Sequence, residues 1–178
     1  MQSLKIPVEQ LREGPIELDL DMDPREIELQ DEDYTFNGRV TGRVVFNIVG
    51  HDVFAVGDMT VPAEGKCVRC LEPAQTVVNA TVNETWIRGG APDTDEGSDI
   101  EAIVNTYVGD FVEPTGVLRE LIMAALPDRL YCREDCKGLC PGCGANLNTE
   151  PCHCPHEAGQ DDQASDWKAK LKQLKSES

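Results

Sequence analysis

The 178-residue chain is poor in several things, and each shortage excludes something. Basic residues are few: 16 Lys and Arg stand against 33 Asp and Glu, for a formal net charge of −17. A field of that sign repels phosphate, so bulk attraction to naked nucleic acid is excluded as a binding mode, because phosphate neutralisation needs clustered Lys and Arg. No apolar run approaches the roughly 18 residues that a membrane-spanning helix requires. The opening MQSLKIPVEQLREGPIELDL contains no apolar core of the kind that a secretory leader carries, which leads us to expect a cytoplasmic protein. Aromatic residues make up only 5%. The three histidines, His51, His153 and His156, form no HExxH or comparable catalytic pattern. P-loop, GxGxxG and GxSxG motifs are also missing, and so is any paired-carboxylate signature. These shortages point away from an enzyme, a membrane protein and a small-molecule site.

What the chain does have is cysteine. Eight are present: Cys67, Cys70, Cys132, Cys136, Cys140, Cys143, Cys152 and Cys154. In a reducing compartment clustered thiols signal metal or redox chemistry rather than disulfides. The run Cys140-Pro141-Gly142-Cys143-Gly144 has the form of a zinc knuckle, in which Gly and Pro let the chain fold back so that both sulfurs meet one ion. Cys152 and Cys154 follow after eight intervening residues. We read these four as one tetrahedral zinc site, with His153 or His156 as alternative ligands because C-x-C is a less usual second half. Cys67 and Cys70, with Cys132 and Cys136, form the second set. An ion shared by residues so far apart in sequence would tie the C-terminal module to the body and restrict the unfolded chain. A different grouping, Cys67 and Cys70 with Cys140 and Cys143, remains open at this stage. All-cysteine sets argue for closed structural zinc, two ions in all, rather than a catalytic ion with an open position. A thioredoxin-like C-x-x-C would open a helix, whereas Cys67 and Cys70 lie between strand-like runs.

Around the cysteines the hydrophobic period predicts an α+β fold, mainly antiparallel β, with one central helix and a C-terminal zinc-ribbon-like Cys module. Residues 1–15 read as an extended lead-in carrying a short LEQL-like fragment. Ile16, Leu18, Leu20 and Met22 alternate with acidic residues, the period-two mark of a half-buried strand, and residues 23–34 extend it before a turn. Further strands are expected over 40–49, 53–61, 75–87 and 103–108, separated by signals such as Asn37-Gly38. Turn signals at this spacing suggest a meander, sandwich or barrel. Residues 88–101 lack periodicity and read as an acidic loop. A helix over 115–126, with Thr115 as N-cap and Leu118, Leu121, Ile122 and Ala125 as its apolar stripe, ends at Pro127. The chain thus divides into a body (1–127), a Cys-rich module (128–157) and a linker with a short basic amphipathic tail helix (158–178).

These features resemble one family. Cys67-Val68-Arg69-Cys70-Leu71-Glu72-Pro73 after a strand, the helix ending Ala125-Leu126-Pro127, and Lys137-Gly138-Leu139-Cys140-Pro141-x-Cys143-Gly144 followed by Asn146-x-Asn148 are similar to the Cys-rich branch of the bacterial YceD family. The resemblance implies a non-enzymatic role in synthesis, processing or stability of large-subunit ribosomal RNA. A zinc-ribbon adaptor for another machine such as transcription, or a thiol oxidoreductase, are the competing readings. The acidity, deepened by about −2 for each zinc held by four thiolates, favours a basic partner: a ribosomal protein or a large-subunit assembly intermediate. Any ribosomal RNA contact would be local, through Lys66 and Arg69 or through Arg129, Arg133 and Lys137. No membrane and no small-molecule substrate are expected.

Overall fold

The computed structural model describes residues 4–89 and 105–154. In chain order the elements are β1 (Ile6–Pro7), α1 (Val8–Glu13), β2 (Ile16–Met22), a 3-10 turn (Pro24–Ile27), β3 (Thr35–Phe36), β4 (Val40–Val49), β5 (Asp52–Lys66), β6 (Pro73–Arg88), β7 (Asn105–Tyr107), β8 (Phe111–Val112) and α2 (Thr115–Ala124). The alternation of apolar and polar residues becomes a six-stranded sheet in the order β2-β4-β5-β6-β7, with the short β3 added to β5. Strands β1 and β8 make a separate antiparallel pair. Every pairing in the large sheet is antiparallel except β6 with β7, which is parallel. The mainly antiparallel sheet is as expected, and only the β7 pairing departs from it, because β7 enters beside β6 after residues 90–104. Most of the acidic loop placed at 88–101, and all of the tail helix, lie outside the described residues.

One face of the sheet is covered. Val53, Ala55, Met59, Val61 and Ala63 of β5, and Val78, Ala80, Val82 and Trp86 of β6, are buried, whereas Phe54, Val56 and Val77 on the opposite face are exposed. Phe46 and Trp86 meet with ring centroids 6.1 Å apart. The helix α2 lays Leu118 and Ile122 fully into this core, with Leu121 and Ala125 packed at its margin, so the apolar stripe packs on the sheet as its spacing predicts. Near the middle of the sheet Gly42 lies against β5. A Cβ there would sit 2.1 Å from the Asp58 carbonyl oxygen and 2.8 Å from Met59 Cα. Only glycine lets the two backbones approach this closely. Gly42→Ala is therefore expected to destabilise the body by about 1–3 kcal/mol through overpacking, read as a lower urea midpoint with unchanged slope.

Four local expectations are corrected. The lead-in is not simply extended: α1 forms over Val8–Glu13, with Val8 and Leu11 buried, because apolar residues three apart share one helical face. Residues 23–34 do not prolong β2. Asp23 caps the 3-10 turn in a capping box with Glu26, and Pro24 opens it, a D-x-x-E signature with Pro at the first helical position. Thr115 is not the N-cap of α2. Pro114 occupies that position, and Thr115 Oγ1 instead accepts from the Leu4 backbone N–H at 3.3 Å. The helix also ends at Ala124, two residues early, with Ala125 as its C-cap.

What positions the cysteines is the β5–β6 hairpin. Its strands pair continuously from Val53↔Trp86 to Lys66↔Pro73. At about 3.3 Å per residue, β5 with its 15 residues is roughly 50 Å long. The hairpin carries the loop with Cys67 and Cys70 to one end of the molecule. After α2 the chain passes Tyr34, whose hydroxyl donates to the Pro127 carbonyl at 2.7 Å, and arrives at the same end.

Candidate metal centres

The knuckle at the hairpin tip is shaped by backbone. Cys67 N donates to Glu72 O at 2.8 Å and Leu71 N to Cys67 O at 2.9 Å, with Leu71 in the left-handed region at φ 63°. The returning chain docks on this loop: Val68 N donates to Leu130 O at 2.8 Å, and Leu139 N to Arg69 O at 3.1 Å. Cys67, Cys70, Ala74, Leu130 and Cys136 form a small buried cluster apart from the main core. The Arg69 guanidinium donates to the Cys136 carbonyl at 3.0 Å and the Glu134 carbonyl at 3.3 Å, and lies 4.8 Å from the Tyr131 ring centre. Arg69, read from sequence as an RNA-facing cation, is thus a strap between hairpin and module. Arg69→Ala is expected to cost about 1–2 kcal/mol and to open the 128–139 segment to limited proteolysis. Arg69→Lys should not rescue it, since a lysine cannot serve two carbonyls and stack at once.

The second knuckle is a tight turn. Cys140 N donates to Ala145 O at 2.8 Å, Gly144 N to Cys140 O at 2.9 Å, and Gly142 N to Cys140 Sγ at 3.4 Å. Gly144 takes φ 76°, where a side chain would be strained. Leu139 bridges to Asn146, which turns the chain back so that Cys152 and Cys154 meet the knuckle.

The eight sulfurs gather as two groups of four. Cys67, Cys70, Cys132 and Cys136 form one, and Cys140, Cys143, Cys152 and Cys154 the other, with ligand atoms in each within 4.8 Å of one another. The alternative grouping of the two knuckles together is not what the fold makes. Among the described residues neither group includes a histidine; His153 lies outside both, and His156 is beyond the described residues. None of the eight is in a disulfide. The contacts Cys67–Cys136 at 3.8 Å, Cys70–Cys132 at 3.6 Å, Cys140–Cys152 at 3.1 Å and Cys143–Cys152 at 3.6 Å are far from the roughly 2.05 Å of an S–S bond. Three of them, at 3.6–3.8 Å, lie close to the tetrahedron edge of about 3.8 Å that follows from four metal–sulfur bonds of about 2.3 Å, and Cys140–Cys152 is shorter. The donor sets therefore fit a four-coordinate thiophilic ion.

Electrostatics supports the same fit. Burial pushes Cys67 up, but backbone N–H groups of Cys132, Cys70 and Arg69 outweigh it and bring the thiol down to about 6. Cys140 falls to about 6 through the Cys143 backbone N–H, the Cys152 thiol and the Gly142 N–H. Burial and its three sulfur neighbours push Cys132 up to about 12. Cys154 rises to about 12 because of Cys143 and Cys152 and then burial. In each group one thiol ionises easily and another resists, because thiolates this close repel by several kcal/mol per pair at protein-like dielectric. A divalent cation at the centre would convert that repulsion into attraction.

A β body whose longest hairpin carries two sulfurs of one four-cysteine group at its tip, followed by a zinc-ribbon-like module that holds a second such group, is a cysteine-rich α+β protein. Comparison with known families places it further. Residues 55–175 match the family model described as large ribosomal RNA subunit accumulation protein YceD, and the chain belongs to the YceD family. An uncharacterized protein of Mycobacterium leprae is 35% identical over 127 residues, 69% of this chain and 53% of that protein. Uncharacterized proteins of Mycobacterium tuberculosis H37Rv and Mycobacterium bovis are each 34% identical over 107 residues, 59% of this chain and 50% of theirs. The chain spans about half the length of these curated relatives. No solved structure matches it.

One residue in this region has a role that sequence reasoning missed. The 145–148 stretch reads as a short turn, yet Asn148 Nδ2 donates to Cys136 Sγ at 3.4 Å. Burial raises the Cys136 thiol, and this amide together with other donors brings it below its ordinary value. The available signal was Asn146-x-Asn148 itself: side-chain amides placed between ligand pairs can donate to sulfur.

Proposed function

We propose that this protein is a non-enzymatic factor in the accumulation of large-subunit ribosomal RNA, held in its active shape by two structural zinc ions. Family membership supplies the RNA link. The observation that carries the mechanism is the pair of closed four-sulfur groups. All-sulfur sets leave no open position for substrate and suit zinc over harder cations. On this reading Cys67, Cys70, Cys132 and Cys136 hold one ion and Cys140, Cys143, Cys152 and Cys154 the other. The body over 1–127 and the module over 128–157 act as one clamped unit in the cytoplasm. Among the described residues no helix is long and apolar enough to cross a membrane.

The contact surface in this proposal is the hairpin tip. Val68, Leu71 and Tyr131 are exposed there, with Lys66 and Arg129 at the surface beside them. Of the cations first considered, Arg69 is engaged internally and Arg133 faces Asp135 at 3.5 Å. An apolar tip with few available cations on an acidic protein suits a basic protein partner, a ribosomal protein or an assembly intermediate, better than extended phosphate contact. The test is sedimentation of the tagged protein from cell extract, with metal analysis of the same preparation. Cofractionation with large-subunit precursors and two zinc per chain is the expected result. Cofractionation with RNA polymerase instead would favour an adaptor role in transcription. Tight binding of ribosomal RNA fragments with a steep salt dependence would overturn the protein-partner reading.

A further inference from the structure

A residue in the loop of one cysteine group touches a sulfur of the other. Asn148 stands in the loop between Cys143 and Cys152, two sulfurs of the second group. Its side chain nevertheless serves the first group. Nδ2 donates to Cys136 Sγ at 3.4 Å and to Asn146 Oδ1 at 2.9 Å, and Oδ1 accepts from the Lys137 backbone N–H at 2.8 Å. Both amide hydrogens thus have acceptors. Asn146 Oδ1 also takes the Asn148 backbone N–H at 3.0 Å, which fixes the direction in which the amide points. The flanking backbone runs the same way: Leu147 N donates to Gly138 O at 3.0 Å. Closing the 140–154 loop therefore sets a donor against a sulfur of the other group.

We propose that Asn148 is a positioning residue that couples the two metal centres, so that filling the Cys140–Cys154 centre raises the metal affinity of the Cys67–Cys136 centre. This rests on the metal-binding reading above. An N–H aimed at a ligating sulfur fixes its orientation and tempers its charge, and loss of such outer partners weakens metal affinity by about 10- to 100-fold. Because binding free energies are linked, the coupling is reciprocal: loading the first centre favours the second by the same factor.

The test is cobalt(II) titration of the full chain in competition with a chelator, followed by thiolate-to-cobalt absorption. The native chain should take up two ions in one unresolved step. Asn148→Ala should still take up two, in two separable steps, with the first centre weaker by about tenfold. Disabling the second centre with Cys143→Ser should weaken the first by about tenfold when Asn148 is present, and by less than about threefold in the Asn148→Ala background. Asn148→Asp keeps the acceptor for Lys137 N but replaces the donor with a negative charge, so the first centre should be at least as weak as with alanine. Native affinity in Asn148→Asp would confine Asn148 to the Lys137 turn and overturn the coupling. So would equal effects of Cys143→Ser with and without Asn148. A native chain that takes up no cobalt or zinc would overturn the metal reading itself, and the coupling with it.

Discussion

Replacing Cys140 by serine is expected to halve the metal content, from two ions per chain to one at saturating metal, and to unfold the segment over about residues 137–154. The reason lies in how little else holds that segment. Among the described residues after Cys136, only Gly138 and Cys140 are buried. A piece of chain with no apolar core cannot offset the backbone entropy of its own ordering, about 1–2 kcal/mol per residue. Metal binding on the order of 10 kcal/mol is the largest single favourable contribution the segment has, added to the hydrogen bonds of its turns. The β body, with its own core of buried Val, Met, Phe and Trp, should melt nearly as before. Elemental analysis after gel filtration and protease mapping check both halves of this expectation. Two ions retained in Cys140→Ser would remove the residue from the ligand set.

Cys67→Ser should do something different in kind. Cys67 is fully buried and its sulfur meets that of Cys136, 69 residues away in sequence. An ion shared across that separation closes a long loop and restricts the unfolded chain by about 4 kcal/mol. Its loss should therefore lower the melting temperature of the whole protein by about 10 °C and free the module from the hairpin tip. Serine also places a hydroxyl among Ala74, Leu130 and Cys136, adding the cost of an unpaired buried polar group. Calorimetry of the metal-loaded protein and its chelated form should show the same difference in the native chain and little difference in the variant. A variant that melts like the native protein would mean that the first group does not clamp the body.

Strong acidity at first argued only against bulk nucleic-acid binding. Part of it is balanced locally. Arg43 reaches Asp19 at 2.7 Å and Glu17 at 3.9 Å, and Arg39 pairs with Asp21. The two arginines of β4 and its approach are therefore occupied along the β2 edge. That leaves the hairpin tip, where exposed apolar side chains sit beside Lys66 and Arg129, as the surface to mutate when a partner is sought.

Much of the fold was legible from spacing, because period-two and period-3.6 patterns are consequences of local geometry. The strands over 40–49 and 75–87 and the stripe Leu118, Leu121, Ile122 and Ala125 needed no tertiary information. The capping box at Asp23 and Glu26 is equally local, and it ends the alternation of β2. The parallel pairing of β7 was not legible, since it depends on where the chain returns after a long excursion. The position of Thr115 was not legible either: its hydroxyl is claimed by Leu4, 111 residues away.

By itself, the sequence determined that the eight thiols fall in four close pairs, that two of these are the knuckles Cys67–Cys70 and Cys140–Cys143, and that a mainly antiparallel sheet with one substantial helix would carry them. Only the tertiary structure decided between the two groupings of four sulfurs that the spacing allowed, that Arg69 straps the module to the hairpin, and that Asn148, from the loop of the second group, reaches Cys136 of the first. A knuckle is two residues apart and follows from local turns. A tetrahedron of sulfurs draws on segments tens of residues apart, and their meeting is set by sheet register and hairpin length.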